Sequence, residues 1–129
     1  MDNNSLLHIG LQVSEKDIVP FYELVLQGYN NRSFVLPKEQ CEEIFSISQD
    51  TKIIYMMYDG FELELFVYEH IQDKSFSHVC LSSEHAEKMY KTAQQIGYST
   101  YKRLSKNGSY TYFLTDSSHN TYEIQKVSK

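Results

Sequence analysis

The sequence predicts an α+β fold built from two related modules, and three observations carry that prediction. A short alternating strand bearing a histidine, followed by an amphipathic helix closed by Gly-Tyr, occurs twice: in LHIGLQVSEKDIVPFYELVLQGYN and in SHVCLSSEHAEKMYKTAQQIGYS. After each copy come strand-like segments that include a glutamate framed by apolar neighbours, Glu64 between Leu63 and Leu65 and Glu123 between Tyr122 and Ile124. At 129 residues the chain has room for one core shared by two modules and not for two independent domains. The expected organisation is a single domain over residues 1–129, with module one at 5–69 and module two at 75–128.

Each module reads as strand, helix, then two or three strands. From Leu6 to Val13 the side chains alternate, Leu7, Ile9, Leu11 and Val13 on one face, His8, Gly10 and Gln12 on the other. Ser14 then stands as a helix N-cap, Pro20 falls near the helix start, Ile18, Phe21, Tyr22, Val25 and Leu26 recur at helical spacing, and Gly28 closes the element. The next stretch is the least regular. Ser33 to Leu36 reads as a short strand and PKEQCEEIF as a short helix opened by Pro37, with Cys41, Ile44 and Phe45 on one side. Strands Lys52 to Tyr58 and Phe61 to Tyr68 flank Asp59-Gly60, a tight-hairpin dipeptide. The polar EHIQDKS is the predicted linker.

Beyond it the pattern restarts. Val79 and Leu81 face one way and His78, Cys80 and Ser82 the other; Ala86, Met89, Tyr90, Ala93 and Ile96 mark an amphipathic helix ended by Gly97. Ser99 to Leu104, Ser109 to Leu114 and Thr121 to Val127 read as strands, the first two separated by the Asn107-Gly108 turn. In the last strand Tyr122 and Ile124 lie opposite Thr121, Glu123 and Gln125.

Composition excludes several classes. The net charge of −5 argues against a nucleic-acid partner, which needs a basic face to replace phosphate counterions. No apolar run reaches the length a bilayer demands, so membrane insertion is not expected. Two cysteines in unlike contexts, and an opening MDNNSLLHIG without a basic head and apolar run, point to a reduced, cytoplasmic setting. A small-molecule substrate is the expected partner.

Strand parity puts His8, Glu64, His78 and Glu123 on the faces opposite the helix-packed core, so two sheets curving round one cleft would bring all four together. Imidazole nitrogens and carboxylate oxygens suit a divalent Zn, Ni, Mn, Co or Fe ion. Two histidines and two glutamates around such an ion make a neutral site, and a metal that prefers six-coordination keeps two positions for water or for two neighbouring substrate oxygens. The ion withdraws charge from a carbonyl or enediolate, and Glu123 or Glu64 is the candidate base for the acidified proton. Singly, a strand histidine is more often hydrogen-bonded structure and a strand glutamate more often faces water; repeat equivalence of all four is what favours ligands. Phe66, Tyr112, Ile54 and Met56 are candidates to line the pocket. For His70, His85 and His119 exposure is the default, and Cys41 and Cys80 read as packing.

These segments resemble the vicinal oxygen chelate superfamily, which includes glyoxalase I (lactoylglutathione lyase), bleomycin-resistance proteins, methylmalonyl-CoA epimerases and extradiol dioxygenases. HIGLQVSEKDIVPFYELVLQGY is similar to the family's first strand and helix, FELELF to its first glutamate strand, FSHVCLSSEHAEKMYKTAQQIGY to its second-module opening and YFLTDSSHNTYEIQ to its closing strand. The resemblance implies paired βαβββ modules forming a cupped mixed sheet, the glyoxalase-like fold, with His8, Glu64, His78 and Glu123 on the four metal positions of glyoxalase I. It also implies a homodimer and a lyase or isomerase activity. Dioxygenases and fosfomycin thiol transferases typically use three ligands and lack the first-module glutamate, so Glu64 favours isomerase or lyase chemistry.

Three positions depart from the pattern. Gln12 stands where glyoxalase I has an arginine that holds the glutathione carboxylate, and Tyr68 where it has an asparagine, which weakens the expectation of a glutathione adduct. In the closing turn His119 occupies a glycine place. The alternatives are a metal-independent binding protein of the bleomycin-resistance type and a regulatory relative with a vestigial site.

Overall fold

The structure, a computed structural model, describes residues 7–69 and 78–127. Apart from Glu69, the predicted linker lies outside the described residues, as does His70. The α+β reading is correct: the two halves fold alike, each into a four-stranded mixed sheet. In the first, β1 (Ile9–Val13), β2 (Tyr29–Leu36), β3 (Thr51–Tyr58) and β4 (Phe61–Val67) lie in the order β1-β4-β3-β2. In the second, β5 (His78–Ser83), β6 (Ser99–Leu104), β7 (Tyr110–Thr115) and β8 (Thr121–Lys126) lie in the order β5-β8-β7-β6. The first strand of each module runs parallel to the last, and the other pairings are antiparallel.

Strand alternation decides what is buried. Leu63, Leu65, Ile54 and Met56 from the first sheet and Tyr112, Leu114, Tyr122 and Ile124 from the second join one cluster with the helices Ile18–Val25 and α2 (Ala86–Ile96). The faces bearing Glu64 and Glu123 are the opposite ones. In module one that outer face is partly covered. Ile53, Phe66 and Tyr68 form a smaller buried cluster, and Phe45 at the end of α1 (Lys38–Phe45) meets Phe66 edge-on at 4.8 Å.

The first helix differs from its prediction. One 3-10 turn (Glu15–Asp17) leads into eight residues of wide, π-type helix, in which the Leu26 N–H reaches back to the Phe21 carbonyl at 3.0 Å. Ser14 does not cap it, because its hydroxyl is 3.2 Å from that of Ser118 in module two. Gln27 takes the left-handed turn at φ 67°, and Gly28 is required for a different reason: a Cβ there would lie 2.5 Å from the Tyr58 ring. Gly97, by contrast, closes α2 at φ 108° as expected. Strand β2 is longer than predicted, since an edge strand exposed on both faces carries no apolar alternation to read.

Buried polar contacts join the modules. Asp17 accepts hydrogen bonds from Tyr98 Oη at 2.7 Å and from the backbone N–H and hydroxyl of Ser117, both at 2.9 Å. Asp116 accepts from Tyr22 Oη at 2.6 Å, and from the backbone N–H groups of Ser118 and Asn120 within the closing turn. The Asn120 amide donates to the Gln12 carbonyl at 2.7 Å. His119 sits at φ 70°, so the turn keeps the left-handed angle that glycine would supply, at the steric cost that any Cβ carries there. No helix among the described residues is long and apolar enough to cross a membrane.

Candidate functional site

The four predicted ligands come together as two pairs. His8, just before β1, places Nε2 3.0 Å from Glu64 Oε1, and His78, at the start of β5, places Nε2 3.3 Å from Glu123 Oε1. The pairs are alike in exposure, 34% and 14% for the His8 and Glu64 side chains, 40% and 18% for His78 and Glu123. Each histidine precedes or opens the strand that runs parallel to the glutamate strand, so one parallel pairing builds each contact. The expected convergence of all four does not occur within the chain: among the described residues no group of three or more His, Cys, Asp or Glu side chains is placed to hold an ion. The physical reason is that the two ligand faces belong to separate sheets whose opposite faces are turned into the shared core.

Each pair offers one imidazole nitrogen and one carboxylate oxygen, half-buried and in contact, which is half of a four-donor set for a divalent ion. Space is kept beside the first pair. A Cβ on Gly10 would lie 3.2 Å from a Phe66 ring carbon and 3.7 Å from Glu64 Oε1, so a bare backbone leaves the carboxylate accessible. A cavity of about 490 Å³ opens here, lined by His8, Gly10, Glu64, Phe66, Phe45 and Tyr68 among others. The donor chemistry therefore fits a divalent metal as two half-sites.

Of the residues expected to line the pocket, only Phe66 does so. Met56 pairs with Leu63 and is fully buried in the main core, as is Ile54, and Tyr112 pairs with Ile124 and lies in the same core. One residue earlier in β3 and one later in β7, Tyr55 and Phe113 hold the register positions opposite Glu64 and Glu123. Tyr55 donates its phenol to Glu64 Oε2 at 2.8 Å, and its ring meets the His8 imidazole edge-on at 5.6 Å. That hydrogen bond, with some desolvation, raises the Tyr55 pKa above its ordinary value. The Arg32 guanidinium lies 4.3 Å from the Tyr55 centroid.

Sequence reading missed both Tyr55 and Arg32. Tyr55 was accessible to it: a two-residue Asp59-Gly60 loop pairs Tyr58 with Phe61, and counting back three residues sets Tyr55 opposite Glu64. Arg32 was not, because a bulge between Asn30 and Arg32 shifts its register. Cys80 faces Glu123 across the β5–β8 pairing; partial desolvation and that carboxylate push its thiol up, which disfavours a nucleophilic thiolate. Cys41 is buried with its thiol on the Leu36 carbonyl at 3.3 Å, and His85 is an exposed residue 3.8 Å from Glu84.

No family model and no curated protein sequence matches the chain. Solved structures do, and they define a class of fold: the glyoxalase-like fold of the vicinal oxygen chelate proteins. The fosfomycin resistance protein FosX from Listeria monocytogenes superposes with a TM-score of 0.71 at 14% identity, covering 97% of this chain and 94% of FosX. A glyoxalase family protein from Enterococcus faecalis superposes with a TM-score of 0.70 at 17% identity, covering 96% of this chain and 98% of that one. A mutant of the Listeria protein complexed with Mn(II) and 1S,2S-dihydroxypropylphosphonic acid gives 0.67 at 14% identity, with 98% and 95% covered.

Proposed function

We propose that the protein is a divalent-metal-dependent enzyme, a lyase or isomerase of the glyoxalase I (lactoylglutathione lyase) type, acting on a small substrate with two adjacent oxygens. We further propose that its working form is a cytoplasmic homodimer in which His8 and Glu64 of one copy face His78 and Glu123 of the other. The observation that carries this reading is the pair of His–Glu contacts at repeat-equivalent places, 3.0 and 3.3 Å, each holding half of a ligand set. Mn(II) in the structurally similar FosX supports use of a divalent ion. The exposed aromatic side chains Phe34 and Tyr101, on the outer faces of the edge strands β2 and β6, offer apolar surface for a second copy.

When bound, the ion supplies Lewis acidity beside the substrate oxygens. The chain supplies the rest. His8 and His78 would hold the ion through their imidazoles, the two glutamates would balance its charge, and Glu123 or Glu64 would take up and return the proton lost from carbon. Phe66 and Phe45 give the cavity an apolar wall that sheds water from the substrate. Gln12 and Tyr68 in place of the glutathione-holding arginine and asparagine argue for a substrate other than a glutathione adduct.

Metal analysis of protein purified without chelators tests this reading. The expected result is about one divalent ion per chain, lost in His8→Ala and in His78→Ala. A wild type that binds no Zn, Ni, Mn, Co or Fe, even after dialysis against each, overturns it. That apolar wall also favours a second reading, a metal-independent binding protein, in which a bound small molecule stabilises the wild type and both variants equally.

A further inference from the structure

The two half-sites differ across both neighbours of the glutamate: Gly10 against Cys80 on the parallel side, and Tyr55 against Phe113 on the antiparallel side. Glu64 and Glu123 occupy the same place in their modules, and the antiparallel pairing that sets Tyr55 opposite Glu64 sets Phe113 opposite Glu123. Glu64 therefore receives a phenol hydrogen bond of 2.8 Å on Oε2 while Oε1 points to His8 Nε2 at 3.0 Å. Phe113 has no such hydroxyl. Glu123 Oε2 is met instead by the Gln125 amide at 3.2 Å, a longer contact from an exposed side chain two residues along the same strand.

The Tyr55 ring is itself held. Phe34 stacks against it at 6.1 Å with an interplanar angle of 24°, the Arg32 guanidinium lies 4.3 Å from its centroid, and the His8 imidazole meets it edge-on at 5.6 Å. A hydroxyl on a ring fixed this way occupies one carboxylate oxygen in a set direction and leaves the other as the only one presented beside His8. Resting on the metal-dependent reading above, we infer that Tyr55 is a positioning residue that fixes Glu64 as a one-oxygen ligand, presenting Oε1 next to His8 Nε2. Groups that hydrogen-bond to metal ligands in this way orient them before the ion arrives, and their removal typically costs about ten- to a hundredfold in metal affinity.

The test is Mn(II) binding to the full chain, followed by titration and by the electron paramagnetic resonance spectrum of the bound ion. Wild type, Tyr55→Phe, Glu64→Ala and the double variant are compared. Tyr55→Phe keeps the ring, so its metal-free thermal midpoint should stay close to that of the wild type. Its Mn(II) affinity is expected to fall about ten- to a hundredfold, with an altered spectrum as Glu64 turns to offer both oxygens. In the Glu64→Ala background the same change should have no further effect. An unchanged affinity in Tyr55→Phe, or a loss that persists in the Glu64→Ala background, overturns the role of Tyr55 and leaves the metal-dependent reading standing. Absence of Mn(II) binding by the wild type overturns both.

Discussion

Asp116 shows what a single side chain does for this molecule. Its carboxylate is buried at the turn between β7 and β8, and burial pushes its pKa above the ordinary value against hydrogen bonds from Tyr22 and Asn120 that pull it down. A carboxyl raised in the folded state binds its proton more tightly there than in the unfolded chain. Its ionisation therefore opposes folding: the penalty is absent below the unfolded pKa of about 3.9, grows as pH rises toward the raised folded value, and is constant above it. Asp116→Asn should remove that pH-dependent part. Measured by urea unfolding across this range, the stability difference, wild type minus variant, should shrink with rising pH before it levels; a difference that grows over the same range contradicts the assignment. Little of this contact set is legible in the sequence, because Tyr22 and Asp116 are 94 residues apart and meet only after the modules dock. The ligand candidates were legible, since parity within a strand needs no partner. Met56 and Tyr112 went to the wrong face because they were considered without the register that pairs them with Leu63 and Ile124.

Among the elements, the regular strands bring the ligand candidates together, and the least regular stretch supplies Arg32, Phe34 and Phe45 around the first pair. In β1, β4, β5 and β8 the residues packed with the main core, such as Leu11, Leu65, Leu81 and Ile124, alternate with those of the other face, and that alternation was readable. The wide helix Ile18–Val25 was read as an ordinary helix, because its apolar spacing suits either form and the deciding facts, Ser14 bonding to Ser118 and Tyr58 pressing on Gly28, come from distant chain. Gly28 marks the contact between this helix and β3. The Tyr58 phenol donates to the Tyr22 carbonyl at 3.0 Å, so its ring cannot swing away without losing that bond. Gly28→Ala should destabilise the protein by about 1–3 kcal/mol through overpacking, seen as a lower denaturation midpoint with an unchanged slope. A variant as stable as the wild type would show that Tyr58 moves aside without cost. At Gly60, where nothing lies within reach of an added Cβ, any cost of the same substitution comes from the φ of 98° alone.

For the whole molecule, the repeat is the feature that sequence and structure share, and the join between its copies is where they part. Two sheets of identical strand order turn their apolar faces into one core and their His–Glu faces outward. On the proposed metal-dependent reading each His–Glu pair is a half-site, and closed two-fold association is the simplest way to complete both at once. The central claim is that each metal site draws one His–Glu pair from each of two copies. Mixing the His8→Ala and His78→Ala proteins, each unable to bind on its own, under conditions that exchange subunits, tests it most directly. In a mixed dimer one site loses both histidines and the other keeps both, so random pairing should restore about a quarter of the wild-type metal capacity. If the mixture binds no more metal than its two components do separately, while subunit exchange is verified by mass, sites are not shared between copies and the account is contradicted.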